Sequence, residues 1–157
     1  MPDSRIDLDA LDRRLLALLQ RDGTLTAQAL GRELALSASQ AGRRRQRLEA
    51  AGLIRGYRAL LAARPLGLTV QAFVQVALAA QAPEAAGRFH RLVRALDEVT
   101  GVWAMSGASD YLLRVHCADL AALNRLVRED LLPHPSVARV ESQIVMEAIK
   151  EDTPLPL

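Results

Sequence analysis

Three observations predict an α+β fold in two parts. Leucines at helical spacing, with cap residues at Asp9, Thr26 and Ser37, mark three short consecutive helices between about residues 10 and 51. From residue 70 the pattern becomes strand, helix, strand, strand, helix, strand, which is the ferredoxin-like βαββαβ order. Between the two blocks stands Arg64-Pro65-Leu66-Gly67, whose proline and glycine read as a hinge.

Each element has its own local grounds. Leu8, Leu11, Leu15, Leu18 and Leu19 line one face of a helix over about Ala10–Arg21. Asp9 suits its N-cap, Asp12 puts a negative charge in the first turn, and Gly23 suits its stop. Thr26 caps the second helix, with Leu25 and Leu30 placed as a hydrophobic staple and Leu34 on the face of Leu30. Ala35-Leu36 is short enough for a tight turn. Ser37 opens the third helix, Gln40 completes a capping-box pattern, and Gly52 ends it. Leu53–Leu61 reads as a strand.

In the second block, Val70–Ala79 alternates with Ala72, Val74, Val76 and Leu78 on one face. Pro83 opens a helix to about Leu96 striped by Phe89, Leu92, Val93 and Leu96. Val99–Ser106 and Tyr111–Cys117 read as strands joined by Gly107-Ala108-Ser109-Asp110. Asp119 caps a helix to about Leu132, and Val137–Ile149 is a last strand. The expected domains are therefore 1–53, a strand and hinge linker over 54–67, 68–150, and an extended tail over 151–157.

Composition narrows the function classes. Half the residues are hydrophobic, which supports a packed core and argues against disorder, while only 3% are aromatic, so the core must be aliphatic. Residues 1–60 carry eleven arginines against seven acidic residues, a net +4. Residues 61–157 carry nine basic against eleven acidic, a net −2. The asymmetry suggests an anionic partner for the first part. Cys117 is the single cysteine, so neither an intrachain disulfide nor a cysteine-based zinc site is available. With no apolar signal core at the start and no run approaching eighteen apolar residues, a cytoplasmic protein without a membrane span is expected. No cofactor is expected.

A short helix, a tight turn and a basic helix match the helix-turn-helix layout, in which the last helix enters the major groove of duplex DNA. At about 100° per residue, Ala41 and Leu48 fall on the inner side of the third helix. Ser39, Arg43, Gln46 and Arg47 fall on the outer side, with Arg44 at the flank. The DNA-contact candidates are Ser37, Ser39, Gln40, Arg43, Arg44 and Arg47. Arginines mostly meet phosphate, whereas Ser39 and Arg43, near the helix start, are placed to read bases. Gln40 could read adenine, but its cap competes for the same amide. Arg45 points toward the inner side, and its charge must snorkel outward along the aliphatic stem.

Leu8-Asp9, Asp12, Leu15-Leu16, Leu36-Ser37, Arg44, Leu48-Glu49, Gly52-Leu53-Ile54 and Gly56-Tyr57 together resemble the Lrp/AsnC family of feast/famine transcription regulators. Ser106-Gly107-Ala108-Ser109-Asp110-Tyr111-Leu112-Leu113 and Ile144-Val145-Met146-Glu147 extend the resemblance over nearly the whole chain. It implies a winged helix-turn-helix domain, a ferredoxin-like ligand-sensing domain, dimers formed through that domain and often octamers. It also implies an amino acid or related small molecule as effector, bound between dimers.

Carried over, the effector positions are Ala104, Ser106, Gly107, Ser109, Asp110, Gln143, Ile144 and Val145. Backbone N–H groups of the 107–110 loop would hold an α-carboxylate, and Asp110 would pair with an α-ammonium. On the residues alone, the plain hairpin turn is the favoured reading of this loop, with Gly107 and Asp110 simply shaping it. Ala35 stands where the family often has glycine, Arg45 where it usually has an apolar residue, and Ala41 and Gly42 where larger residues are common. These departures bear on sequence preference rather than fold.

Two other functions fit the same resemblance: a siroheme-decarboxylase-like enzyme, and a DNA-organising protein without effector. His90, His116 and His134 are scattered and form no catalytic or metal constellation, so a regulator that is not an enzyme is expected.

Overall fold

The computed structural model describes residues 7–80, 82–151 and 153–157. Residues 1–6 of the expected first domain and Asp152 of the expected tail lie outside the described residues, as does Gln81. The chain divides into two units: residues 1–60 with 150–157, and residues 61–149.

The first unit is built on α1 (Ala10–Arg21), α2 (Ala27–Leu34) and α3 (Ala38–Ala50). Local chemistry sets each start. Asp9 accepts the Asp12 N–H at 2.7 Å, and Asp12 accepts the Asp9 N–H at 3.3 Å, closing a capping box that sequence reading had only half recognised. Thr26 caps α2, and the Ser37/Gln40 box caps α3. The stop of α1 comes one residue earlier than Gly23, at Asp22, whose side chain takes the Thr24 N–H and hydroxyl. Leu15, Leu16, Leu19, Leu30, Leu34, Ala41 and Leu48 form the core. The inward face assigned to Ala41 and Leu48 is thus the buried one.

The α2–α3 turn passes through Ala35 at φ 54°, ψ 42°, the left-handed region that a Cβ disfavours. Ala35→Gly is expected to stabilise this unit by about 0.5–1 kcal/mol, since strain relief outweighs the extra freedom of the unfolded glycine. An unchanged urea midpoint would contradict that.

The strand expected over Leu53–Leu61 is not formed. Residues 55–62 have no regular secondary structure, and Leu60 and Leu61 are exposed. A strand exists only against a neighbour, and no described segment of this chain pairs with them. No wing strand therefore follows α3. In the expected tail, residues 151 and 153–157 have no regular secondary structure, yet Leu155 is tied down. The Gln20 side chain accepts the Leu155 N–H at 2.6 Å and donates to the Leu155 carbonyl at 3.2 Å. Leu155 and Leu157 border a depression with Leu8, Leu16, Leu19, Leu53 and Ile54.

The second unit is a four-stranded antiparallel sheet of β1 (Val70–Leu78), β2 (Val99–Ala104), β3 (Tyr111–Cys117) and β4 (Val137–Ile144), in the order β2-β3-β1-β4. It carries α4 (Pro83–Ala95) and α5 (Leu120–Arg125), the latter continued by a π-helical turn over Leu126–Leu131. This is the expected βαββαβ order. Strand alternation sends Ala72, Val74, Val76, Tyr111, Leu113, Val115 and Cys117 to one face, where Phe89, Val93, Leu123, Leu126 and Leu131 cover them. β4 stops at Ile144 rather than Ile149 because its partner β1 begins at Val70. The last ladder contact is the Val145 N–H to the Gln71 carbonyl, 2.9 Å.

Candidate DNA-reading helix and effector loop

On α3, Ser37 and Gln40 occupy each other. The Ser37 N–H donates to Gln40 Oε1 at 2.9 Å, and Ser37 Oγ accepts the Gln40 N–H at 3.2 Å. Ser39 Oγ lies 3.1 Å from Ser37 Oγ on the exposed side. Arg43 is exposed and makes no ion pair among the described residues.

The other arginines are engaged. Arg44 Nη1 reaches Asp9 Oδ2 at 2.6 Å and Asp12 Oδ1 at 2.8 Å. Arg47 Nη2 reaches the second oxygen of Asp12. Asp12 is only 1% exposed, so this carboxylate pins α3 to α1 from inside the unit. Asp9 is held below the usual carboxylate range, first by the Asp12 N–H and then by Arg44. Arg45 resolves its inward direction as a snorkel: Nε donates to Glu49 at 2.8 Å, Nη1 to the Leu25 carbonyl at 3.2 Å, and the guanidinium lies 4.6 Å above the Tyr57 ring. Tyr57 also donates to Glu49 at 2.9 Å. Asp9, Leu36, Gln40, Arg43, Arg44 and Arg47 line an open depression of about 370 Å³. Sequence reading gave Asp12 a helix-dipole role. Its role as the anchor of two arginines was missed, because Arg44 and Arg47 stand 32 and 35 positions away on another helix.

The 105–110 loop joins β2 to β3, with Gly107 at φ 133°. Asp110 is built into the sheet end. Its N–H donates to the Val76 carbonyl at 3.0 Å, its carbonyl accepts the Met105 N–H at 2.8 Å, and its Oδ2 accepts the Leu78 N–H at 2.7 Å. That last bond satisfies β1 where its pairing with β4 slips, between Ala77 and Leu78. Ser109 Oγ donates to Gln75 at 3.1 Å, and Arg139 donates to the Ala108 carbonyl at 3.5 Å.

The register separates the eight effector candidates into two groups. Ala104 pairs with Tyr111, Tyr111 with Val76, and Val76 with Val140. Ala104, Ser106, Gly107, Ser109 and Asp110 therefore gather at one sheet end. Gln143, Ile144 and Val145 lie three to five residues past Val140, roughly 10–17 Å along the strand and about 14 Å across from β2. Within one protomer the two groups do not meet. The histidines are likewise apart: His90 bonds the Tyr111 hydroxyl at 2.9 Å, His116 the Thr100 hydroxyl at 3.0 Å, and His134 accepts the Ser136 N–H at 3.3 Å. No metal-binding cluster occurs among the described residues.

The AsnC-type helix-turn-helix domain matches residues 8–49, and the Lrp/AsnC ligand binding domain matches residues 71–155. The chain belongs to the Lrp/AsnC family. It is 39% identical over 150 residues to the DNA-binding transcriptional activator DecR of Escherichia coli K12, covering 96% of this chain and 99% of that protein. It is 36% identical over 149 residues to the leucine-responsive regulatory protein of the same organism, covering 95% and 91%. A transcriptional regulator from Neisseria meningitidis, solved as its L-Met complex, superposes with a TM-score of 0.91 at 38% identity, covering 96% and 97%. An AsnC family regulator from Agrobacterium tumefaciens gives 0.88 at 36% identity, covering 95% and 97%. These Lrp/AsnC relatives are named as regulators rather than enzymes.

Proposed function

We propose that this chain is a transcription regulator that reads duplex DNA with α3 and changes its assembly or DNA affinity on binding an amino acid or related small molecule. One observation carries the DNA reading: the capped, exposed start of α3, with Ser39 and Arg43 facing outward, follows a helix and a tight turn. The L-Met complex of the Neisseria relative supports an amino acid as the class of effector.

The split of the effector candidates supports a site shared between protomers, with the 105–110 loop from one and Gln143–Val145 from another. The chain then works as a homodimer, assembling further toward an octamer. The second sheet face supports the dimer: Trp103 is exposed, and its cross-strand partner Leu112 is half-buried beside it, with half-buried Phe73 further across the same face. No helix among the described residues is long and apolar enough to cross a membrane. We place the regulator in the cytoplasm, with the DNA it reads.

The test is calorimetry against a panel of amino acids, paired with sizing and DNA binding. Asp110→Asn separates the two roles of this residue. It keeps an oxygen for the Leu78 N–H but removes the charge offered to an α-ammonium. The melting temperature should hold while effector affinity falls roughly tenfold or more, as for a lost bond to a charged group. Unchanged affinity would remove Asp110 from the site. Silence across the panel, with DNA binding intact, would favour the effector-free DNA organiser.

A further inference from the structure

We infer that Asp9 and Asp12 act as built-in competitors of DNA phosphate, holding down non-specific binding by occupying arginines of the reading helix. The inference rests on α3 being that helix. Four arginines stand on α3 between positions 43 and 47. Three have internal partners: Arg44 on Asp9 and Asp12, Arg47 on Asp12, and Arg45 on Glu49. Asp9, Asp12, Arg44 and Arg47 together carry no net charge, so the field of α3 is much weaker than its sequence suggests.

Carboxylate and phosphate offer a guanidinium the same kind of charge-assisted, two-pronged bonding. Asp9 is half exposed and borders the same depression as Arg43, Arg44 and Arg47, so it stands among the groups a phosphate would approach. Arg44 is three-quarters buried and gripped by two carboxylates, which makes it a strut between α1 and α3. Arg47 has its side chain 53% exposed and holds one carboxylate, so it is the arginine free to move.

Transferring Arg47 to a phosphate leaves the buried Asp12 with Arg44 alone, and weakening a buried pair is costly. A non-specific duplex offers only its backbone to offset that cost. A matched site adds base contacts and offsets it readily. The pair therefore lowers backbone-only binding more than matched binding, and widens the ratio between them.

Two isosteric variants of the full chain test this. Asp9→Asn keeps the N-cap, since asparagine caps as well as aspartate. Asp12→Asn keeps an acceptor for the Asp9 N–H. Binding is measured by anisotropy across a salt series, on a mixed-sequence duplex and on a duplex selected from a random pool by the wild-type chain. Asp12→Asn, which releases Arg47, should bind the mixed duplex about tenfold tighter at low salt. Asp9→Asn, which removes a negative charge beside the depression but leaves Arg44 on Asp12, should gain about two- to threefold with little change of slope. The log–log salt slope should steepen by about 0.9 for each arginine freed to meet a phosphate. The selected duplex should gain less, so the specificity ratio falls.

Folded variants with wild-type slope and wild-type ratio overturn the inference. So does weaker binding to the mixed duplex, which would make the carboxylates purely positioning groups. If Asp12→Asn fails to fold, Asp9→Asn decides through its affinity for the mixed duplex relative to the selected one, and an unchanged ratio overturns the inference. A wild-type chain that binds neither duplex overturns the DNA reading itself, and this inference with it.

Discussion

Replacing Phe89 by alanine should cost the sensor unit about 3–5 kcal/mol, the range for deleting a fully buried aromatic ring. Phe89 is fully buried, and its ring lies 4.8 Å from that of Tyr111 at a 39° tilt. Val74 and Val76 fill the same cluster. Strand backbones in a continuous ladder cannot move inward to refill the space, so little of the cavity should collapse. The measurement is direct. Trp103 is the sole tryptophan in the chain and sits on β2, so its fluorescence follows this unit. The urea midpoint reported by Trp103 should fall sharply. A loss under about 1 kcal/mol would mean that the helices repack freely over the sheet.

Gly31→Ala should do the complementary damage. A Cβ on Gly31 would stand 2.7 Å from the Leu36 carbonyl oxygen and 3.2–3.3 Å from backbone atoms of Ser37 and Ala38. These are main-chain atoms of the turn that sets α3 against α2, and the Leu36 N–H is already bonded to the Gly31 carbonyl at 2.8 Å. The turn must open, at about 1–3 kcal/mol. The helical signal should then melt earlier while the Trp103 transition stays in place, and DNA binding should weaken because α3 is tilted. A variant with wild-type DNA affinity would show that α3 tolerates a shifted turn.

The contrast between these sites shows what could be read in the chain alone. Helix starts at Asp9, Thr26 and Ser37 were legible because a cap depends on three or four neighbouring residues. The inward face of Ala41 and Leu48 was legible because helical geometry is periodic. The close approach at Gly31 was not, because it depends on how two helices meet. The grip of Asp12 on Arg44 and Arg47 spans 32 and 35 positions and follows only from packing α1 against α3. The strand expected over Leu53–Leu61 failed because no pattern within a segment tells whether a neighbour exists to pair with it. The effector residues could be named by resemblance. Their separation into two groups needed the register, since chain position does not say which end of a strand a residue occupies.

The bonds from Gln20 to Leu155 bear on how the protein is made. Residues 61–149 are, in chain order, an insertion within the first unit, which is completed only by residues 150–157. On the ribosome α1, α2 and α3 emerge before the sheet, yet the segment that Gln20 holds emerges only after the whole sheet has been synthesised. Without residues 150–157 the first unit would have nothing bonded to Gln20 at Leu155. The DNA-binding unit is closed by a segment that follows the sheet in the chain, not by α1 to α3 alone.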